Sequence, residues 1–355
     1  MSVSGREVTK SVLWLGPFPP PVNGASLVTE RMAEEAANHV RVIWVDLNAP
    51  KTARLRYHLG RVICHARAAR VIWGARSTVR HMYFSLPGGF GLVYAIPLVL
   101  LSRCLRYNIF LHHHSFAYLS ERRFDVRILL CFAGSGHRNI VLCAAMKHAL
   151  AEHYPQARSI QVLSNAWVIP AELSGSKARN TRVIGHLSNL STSKGIGTVI
   201  QVYEAMVKDE PSIELLIAGP FADPKSEALV TGALRRYPSI TYLGPVYGVA
   251  KSEFFSKVDV FLFPSTYVNE AEPLVIDEAL AAGCAVVCSS NGCMSEFNDR
   301  RAVNSLGAGS SIADYCEAVQ MAFQVGTREA SQQVHAHRSS TASASLDEFI
   351  RLLVA

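Results

Sequence analysis

Between residues 269 and 283 the sequence reads NEAEPLVIDEALAAG. A loop carrying Glu270 leads to Pro273, a residue suited to the first turn of a helix, and Gly283 suits the end of that helix, which the pattern places over 274–282. The first N–H groups of such a helix and the positive end of its dipole form a site for a diphosphate or for sugar hydroxyls. Glu278 lies on the helix with seven residues between it and Glu270. Helical side chains lean toward the N-terminus, so both carboxylates can reach one ligand, and carboxylates accept hydrogen bonds from hydroxyls. Acidic residues near a helix start also stabilise an ordinary solvated helix, so the spacing alone leaves both readings open.

His112, His113 and His114 follow the strand expected at 107–111, which puts them at the end of a strand, where ligands of parallel sheets bind. Side chains of an extended run point in alternate directions, which argues against a shared metal ion. The eight cysteines form no CxxC pair, and Cys284, Cys288 and Cys293 match no zinc spacing. They read as reduced core residues of a cytosolic protein, and no metal or other cofactor is expected.

These residues need elements to hold them. Ser11–Leu15 reads as a buried strand, Gly16–Gly24 as a turn-rich loop, Ala25–Ala37 as a helix and Val42–Val45 as a strand. Further strands are expected at His81–Ser85, Tyr107–Leu111 and Asn139–Cys143. After a polar stretch a second series begins, with strands at 182–187, 213–218, 240–243, 258–263 and 285–288, and helices at 196–207 and 274–282. This alternation predicts two parallel sheets wrapped by helices, in an α/β chain whose 355 residues suit two domains. The expected division is a first domain over 1–165, a linker over 166–181, a second domain over 182–335, and a tail over 336–355 that packs back as a helix over 343–355. The Ser-, Ala- and His-rich stretch 332–345 is expected to be mobile.

The block NEAEPLVIDEALAAG resembles the E-x7-E signature of glycosyltransferase family 4. VDVFLFPS before it and GCAVVCSSNGCMSEF after it resemble that family's flanking strands. LIAGPF (216–221) and YLGPV (242–246) are similar to its strand ends beside the nucleotide, HLSNLSTSKG (186–195) to its phosphate-binding loop, and GPFPPPVNGAS to its N-terminal glycine loop. The resemblance spans about 12–300. It implies a GT-B fold, two Rossmann-like domains facing each other across a cleft, with the acceptor on the first domain and the nucleotide-sugar on the second. It also implies a hexosyltransferase that retains the anomeric configuration, in which a donor phosphate oxygen takes the acceptor proton.

By that resemblance Glu270 contacts the transferred sugar, Glu278 the ribose, and backbone groups at Glu272, Pro273 and Leu274 hold sugar or phosphate oxygens. Lys194 neutralises the leaving diphosphate, where charge builds as the glycosidic bond breaks. Gly24, Asn189, Gly219 and Val246 fall in the donor-facing motifs, and His114 best fits the family's strand-end histidine beside the donor sugar. The family commonly carries an Arg several residues before the lysine; this sequence has His186, Ser188 and Asn189 there.

The net charge of +7 is unevenly shared: residues 1–165 hold 20 Lys/Arg against 8 Asp/Glu, and 166–355 hold 15 against 20. The basic half implies an anionic partner. Arg54, Arg56, Arg61, Arg67 and Arg70 recur among apolar neighbours as in a segment facing anionic lipid, a pattern that an ordinary solvated helix also shows, whereas no nucleic-acid motif is present. The expected partners are therefore a nucleotide-sugar donor, a glycan or lipid-linked acceptor of polysaccharide biosynthesis, and a membrane surface, but no nucleic acid. Residues 1–10 do not read as a signal peptide, and the apolar run 90–101 is too short to span a bilayer, which suggests a cytoplasmic protein bound peripherally to the inner face. The four prolines and absent GxGxxG of the first loop exclude a nicotinamide fingerprint. A catalytically silent or regulatory protein of this fold, or a nucleotide-sugar epimerase or phosphorylase, stays open on fold alone.

Overall fold

A computed structural model describes residues 10–49, 54–170, 182–297 and 299–355. Contacts divide the chain into two units. The first runs to Ser164 and takes up Ala342–Ala355; the second is Asn165–Thr341.

The first unit alternates strands β1 (Ser11–Gly16), β2 (Arg41–Asp46), β3 (His81–Leu86), β4 (Asn108–His113), β5 (Arg138–Val141) and β6 (Ile160–Val162) with helices α1 (Gly24–Ala37), α2 (Arg54–Ala75), α3 (Leu92–Cys104), α4 (Ala117–Ser120), α5 (Phe124–Ala133) and α6 (Ala144–His153). The strands form one parallel sheet in the order β2-β1-β3-β4-β5-β6. Helices cover both faces of such a sheet, so its inner strands are apolar throughout, as at Val12–Leu15 and Met82–Phe84. Trp14 stacks on Tyr83 at 4.0 Å between ring centroids. Phe349, near the C-terminus, meets Trp14, Tyr83 and Phe110 edge-on.

The second unit repeats the plan with β7 (Val183–Leu187), β8 (Glu214–Ala218), β9 (Ile240–Tyr242), β10 (Val260–Phe263), β11 (Ala285–Ser289) and β12 (Val303–Leu306). Its helices are α7 (Ile196–Met206), α8 (Pro224–Arg236), α9 (Val249–Lys257), α10 (Leu274–Ala281) and α11 (Ile312–Val325), and α12 (Arg328–Val354) runs on into the first unit's C-terminal residues. The parallel sheet has the order β12-β11-β10-β7-β8-β9. The order reverses direction between β7 and β10, and in the first unit between β1 and β3. At such switch points the loops leaving the strand ends part and leave room for a ligand.

Three sequence expectations change. His112 and His113 lie within β4, paired with Ser85 and Leu86, rather than beyond the strand. The stretch 332–345 is helical, because Ser331, His335 and Ala342 are buried and anchor that part of α12. Residues 166–168 of the expected linker form a 3-10 turn with Asn165, the last residue of the expected first domain, and all four belong to the second unit. Residues 171–181 of the linker lie outside the described residues, as do residues 1–9 of the segment read for a signal peptide. Two short strands, β6 and β12, carry too few apolar residues to stand out in the sequence. Among the described residues no helix is long and apolar enough to cross a membrane.

Candidate active site

In the second unit the loops leaving β7 and β10 are fastened together at the switch point. Thr192–Lys194 form a 3-10 turn whose cap, Ser191, accepts the Lys194 N–H at 3.2 Å. Gly195 follows with φ +86°, and a Cβ there would fall 2.3 Å from the Pro264 carbonyl oxygen, so only glycine fits between turn and helix. Thr266 donates its N–H to the Ser193 carbonyl at 2.8 Å. The Lys194 ammonium forms an ion pair with Glu270 and lies 4.8 Å from the Tyr267 ring centroid. The Ser265 hydroxyl donates to the same carboxylate at 3.1 Å. Lys194 and Glu270, 76 residues apart, thus meet in one partly buried site.

Glu270 sits in a loop held from behind by the chain after β11, where Asn291 donates to the Ser265 carbonyl at 2.6 Å and Cys293 N–H to the Ala271 carbonyl at 2.8 Å. The helix begins at Leu274 as the pattern places it, so Pro273 is the N-cap of α10 rather than a residue of its first turn, and it makes no side-chain cap bond. Pro273 has no N–H, so at the helix start the donors belong to Leu274 and its successors. Glu278 pairs with Lys251 of α9 at 2.6 Å, a cation that sequence reading did not single out because a lone lysine in an exposed helical pattern carries no signal.

Glu272 faces elsewhere. Its carboxylate accepts from the Asn165 N–H and from Arg338 at 2.7 Å, so its side chain serves the unit's interior. Arg338 also binds Asp277 at 2.9 and 3.2 Å. Burial alone would raise the Asp277 pKa, but Arg338 and His335 outweigh it and hold the group below its ordinary value.

The other second-unit candidates are spread around these loops. Asn189 is exposed beyond β7. Gly219 follows β8 with φ +117°, and a Cβ would overlap the Ser188 carbonyl at 1.8 Å. Its N–H donates to the Gly244 carbonyl at 2.8 Å. Val246 is buried in a core cluster with Leu216 and Phe263. His186 donates through Nδ1 to the Leu262 carbonyl at 2.8 Å, leaving Nε2 to accept from Ser188 at 2.9 Å. Burial pushes its pKa down to about 4, so it is neutral at pH 7 and does not replace the family's arginine as a charge.

In the first unit, the switch point lies at the glycine loop between β1 and α1. Asn23 caps α1 in a reciprocal pair with Ser26; Gly24, its first residue, is exposed and a Cβ there would meet nothing. The histidines alternate as strand geometry requires. His112 Nδ1 bonds the Tyr83 hydroxyl at 2.6 Å, and its ring lies 3.9 Å from that of His114. His113 points to the other face, to the Tyr118 hydroxyl at 3.0 Å and the Asn139 side-chain oxygen at 3.1 Å. Burial lowers all three pKa values, to about 4 for His113 and about 3 for His114. The Nε2 atoms of His112 and His114 have no hydrogen-bond partner. Among the described residues no group of His, Cys, Asp or Glu is placed to hold a metal ion. Cys284 and Cys288 are buried thiols as expected, but Cys104 and Cys131 are exposed, and Cys143 and Cys293, expected to be reduced, are disulfide-bonded.

A nucleotide-fold unit with a lysine and two carboxylates at its switch point invites comparison with sugar-nucleotide enzymes. Residues 172–324 match the family model of glycosyl transferases group 1. The match lies within the second unit and spans less than half of the chain. Comparison with curated proteins gave no match. Among solved structures, HepE of Anabaena, crystallised in complex with UDP-glucose, is similar at 18% identity with a TM-score of 0.67, covering 97% of each chain. WaaG, described as a glycosyltransferase involved in lipopolysaccharide biosynthesis, is similar at 14% identity and TM-score 0.67, covering 97% of this chain and 99% of that one. Sucrose-phosphate synthase of Thermosynechococcus elongatus gives 13%, TM-score 0.69, and coverage of 97% and 98%. At these identities the likeness shows the fold, which is GT-B.

Proposed function

We propose that this chain is a retaining glycosyltransferase of family 4 type, a hexosyltransferase that takes its sugar from a nucleoside diphosphate sugar without a metal ion. The observation that carries the reading is the meeting of Lys194, Glu270 and the α10 start at the switch point of the domain matching the group 1 family. Lys194 offsets charge on the leaving diphosphate, the α10 start holds phosphate or sugar oxygens, Glu270 takes the sugar hydroxyls and Glu278 the ribose. Asn189, Gly219 and Val246 line the nucleotide side; Gly24 and His114 are the first unit's donor-facing residues. The bond from the anomeric carbon to the diphosphate breaks, the bond to the acceptor oxygen forms on the same face, and a donor phosphate oxygen receives the acceptor proton. His114, neutral and with an unpartnered Nε2, suits contact with an uncharged sugar hydroxyl rather than acid catalysis.

The acceptor in this reading is a lipid-linked or polysaccharide-precursor glycan at the cytoplasmic membrane face. The layer of α2, α3 and α5 supports it. Residues 54–133 hold 12 Lys/Arg and 2 Asp/Glu. On α2, Leu59, Val62, Ile63 and Trp73 face outward, beside exposed Arg56, Arg67 and Arg70; the side chain of Arg54 lies outside the described residues. Arg61 and Arg123 bond the carbonyls of Gly91 and Gly89 at 3.4 and 3.2 Å, anchoring the loop that presents Phe90, 77% exposed. Large apolar groups among arginines fit an anionic bilayer.

The test is a thermal-shift and hydrolysis screen against UDP-, GDP- and ADP-sugars with EDTA present, repeated with Glu278→Ala. Stabilisation or slow hydrolysis with one donor, lost in the variant, is expected. No response from folded wild-type protein would overturn the reading in favour of a silent binding protein.

A further inference from the structure

Behind the proposed donor loop lies a network of charged side chains that have no role in the proposed donor binding. Arg338, on α12, reaches Glu272 in the loop and both oxygens of Asp277 in the first turn of α10. The side chains are 21% exposed for Arg338, 2% for Glu272 and 0% for Asp277. Phe297 lies against the guanidinium at 4.3 Å. His335, one turn earlier on α12, approaches Asp277 at 3.5 Å and the Pro170 carbonyl at 3.1 Å. Asn165 completes the set, giving its N–H to the Glu272 carboxylate and its side-chain amide to the Glu272 carbonyl at 3.2 Å.

Two buried carboxylates near each other repel unless a cation stands between them, and one arginine fork can satisfy both because it presents several fixed donors. Glu272 lies two residues after Glu270, and Asp277 one residue before Glu278. Whatever holds Glu272 and Asp277 therefore holds the backbone on which both ligand-facing carboxylates and the Leu274 N–H are mounted. Asn165 and Pro170, on the stretch where the chain enters the unit, and α12, on which it leaves, are fastened to the same group.

We propose that Arg338 is a positioning residue for donor recognition: it fixes the Glu270–Glu278 segment from behind by bridging Glu272 and Asp277, and touches no substrate itself. This rests on the proposed donor site, and the test separates the two. Arg338→Met, Arg338→Lys and the pair Arg338→Met with Glu272→Gln are compared with wild type in two assays. The first is donor hydrolysis with UDP-glucose, GDP-mannose and ADP-glucose; the second is amide hydrogen exchange across 267–282.

Arg338→Met is expected to raise the donor KM or lower kcat about tenfold or more, since a shift of the order of an ångström in a positioned group has that effect. Exchange should quicken across 267–282 and stay unchanged in β8 and β9. Arg338→Lys should fall between, keeping the charge without the fork. Removing one carboxylate in the paired variant relieves the repulsion and should restore part of both signals. The inference is overturned if Arg338→Met lowers the melting temperature while donor kinetics and local exchange stay as in wild type, or if the paired variant is no better than the single one. If wild type hydrolyses no donor yet exchange responds as stated, the positioning of the segment holds and the donor reading falls.

Discussion

Replacing His186 by Gln removes a group whose proton the folded protein refuses. Burial holds its pKa at about 4 in the folded state against 6.5 for an exposed imidazole. A depressed histidine pKa gives stability that is complete above pH 6.5 and is lost as the pH falls toward 4, because only the unfolded chain takes up the proton. Between pH 7 and pH 5 the unfolded state gains about 0.7 of a proton at this site and the folded state about a tenth of one, and the accumulated difference costs about 2 kcal/mol. At pH 7 the Gln variant is expected to be about 1 kcal/mol less stable, through weaker bonds to Leu262 and Ser188. At pH 5 that deficit should have vanished or reversed. Urea unfolding followed by circular dichroism at the two pH values measures the difference directly. A gap between wild type and variant that stays constant from pH 7 to pH 5 would refute the argument, since it would mean that His186 titrates alike in folded and unfolded chains. The same result would reopen His186 as a cation beside Lys194.

Lys194→Met is expected to reduce donor turnover by about 10²–10³-fold, the usual cost of losing one charge-stabilising group, as measured by release of the nucleoside diphosphate. Retention of most of the activity would point to Lys251 as the cation that matters. Trp73→Glu with Phe90→Glu should abolish sedimentation with phosphatidylglycerol vesicles while leaving hydrolysis of a soluble donor unchanged; equal binding by wild type and variant, or none by wild type, would remove α2 and its neighbouring loop as the membrane surface.

Much of the second unit's architecture was legible because its signals are local. The apolar runs of β7, β8, β10 and β11 are short, continuous and spaced by helical patterns, and Gly195 and Gly219 stand where positive φ and close backbone approach admit little else. The pairing of Lys194 with Glu270 was within reach only through resemblance, since no periodicity joins residues 76 apart. Lys251, Arg338 and Asn165 were invisible for the same reason: each acts through a partner far away in sequence. The histidine triplet misled on strand length, because buried polar residues mimic a strand end, although His112 and His113 are sealed in by Tyr83, Tyr118 and Asn139. The stretch 332–345 misled in the opposite sense. Its many small and polar residues suggest mobility, and its order comes from the burial of Ser331, His335 and Ala342 together with the reach of Arg338.

The route of α12 has a consequence for how the protein comes into being. The first unit's sheet is covered by Phe349, against Trp14, Tyr83 and Phe110, so the earliest-made strands wait for a side chain synthesised after the whole of the second unit. Asn165–Thr341 is one continuous stretch; the unit that precedes it on the ribosome is split, with Ala342–Ala355 made last. Order of synthesis and order of completion are therefore reversed, and until α12 has been made the older half must exist with its aromatic core open on one side.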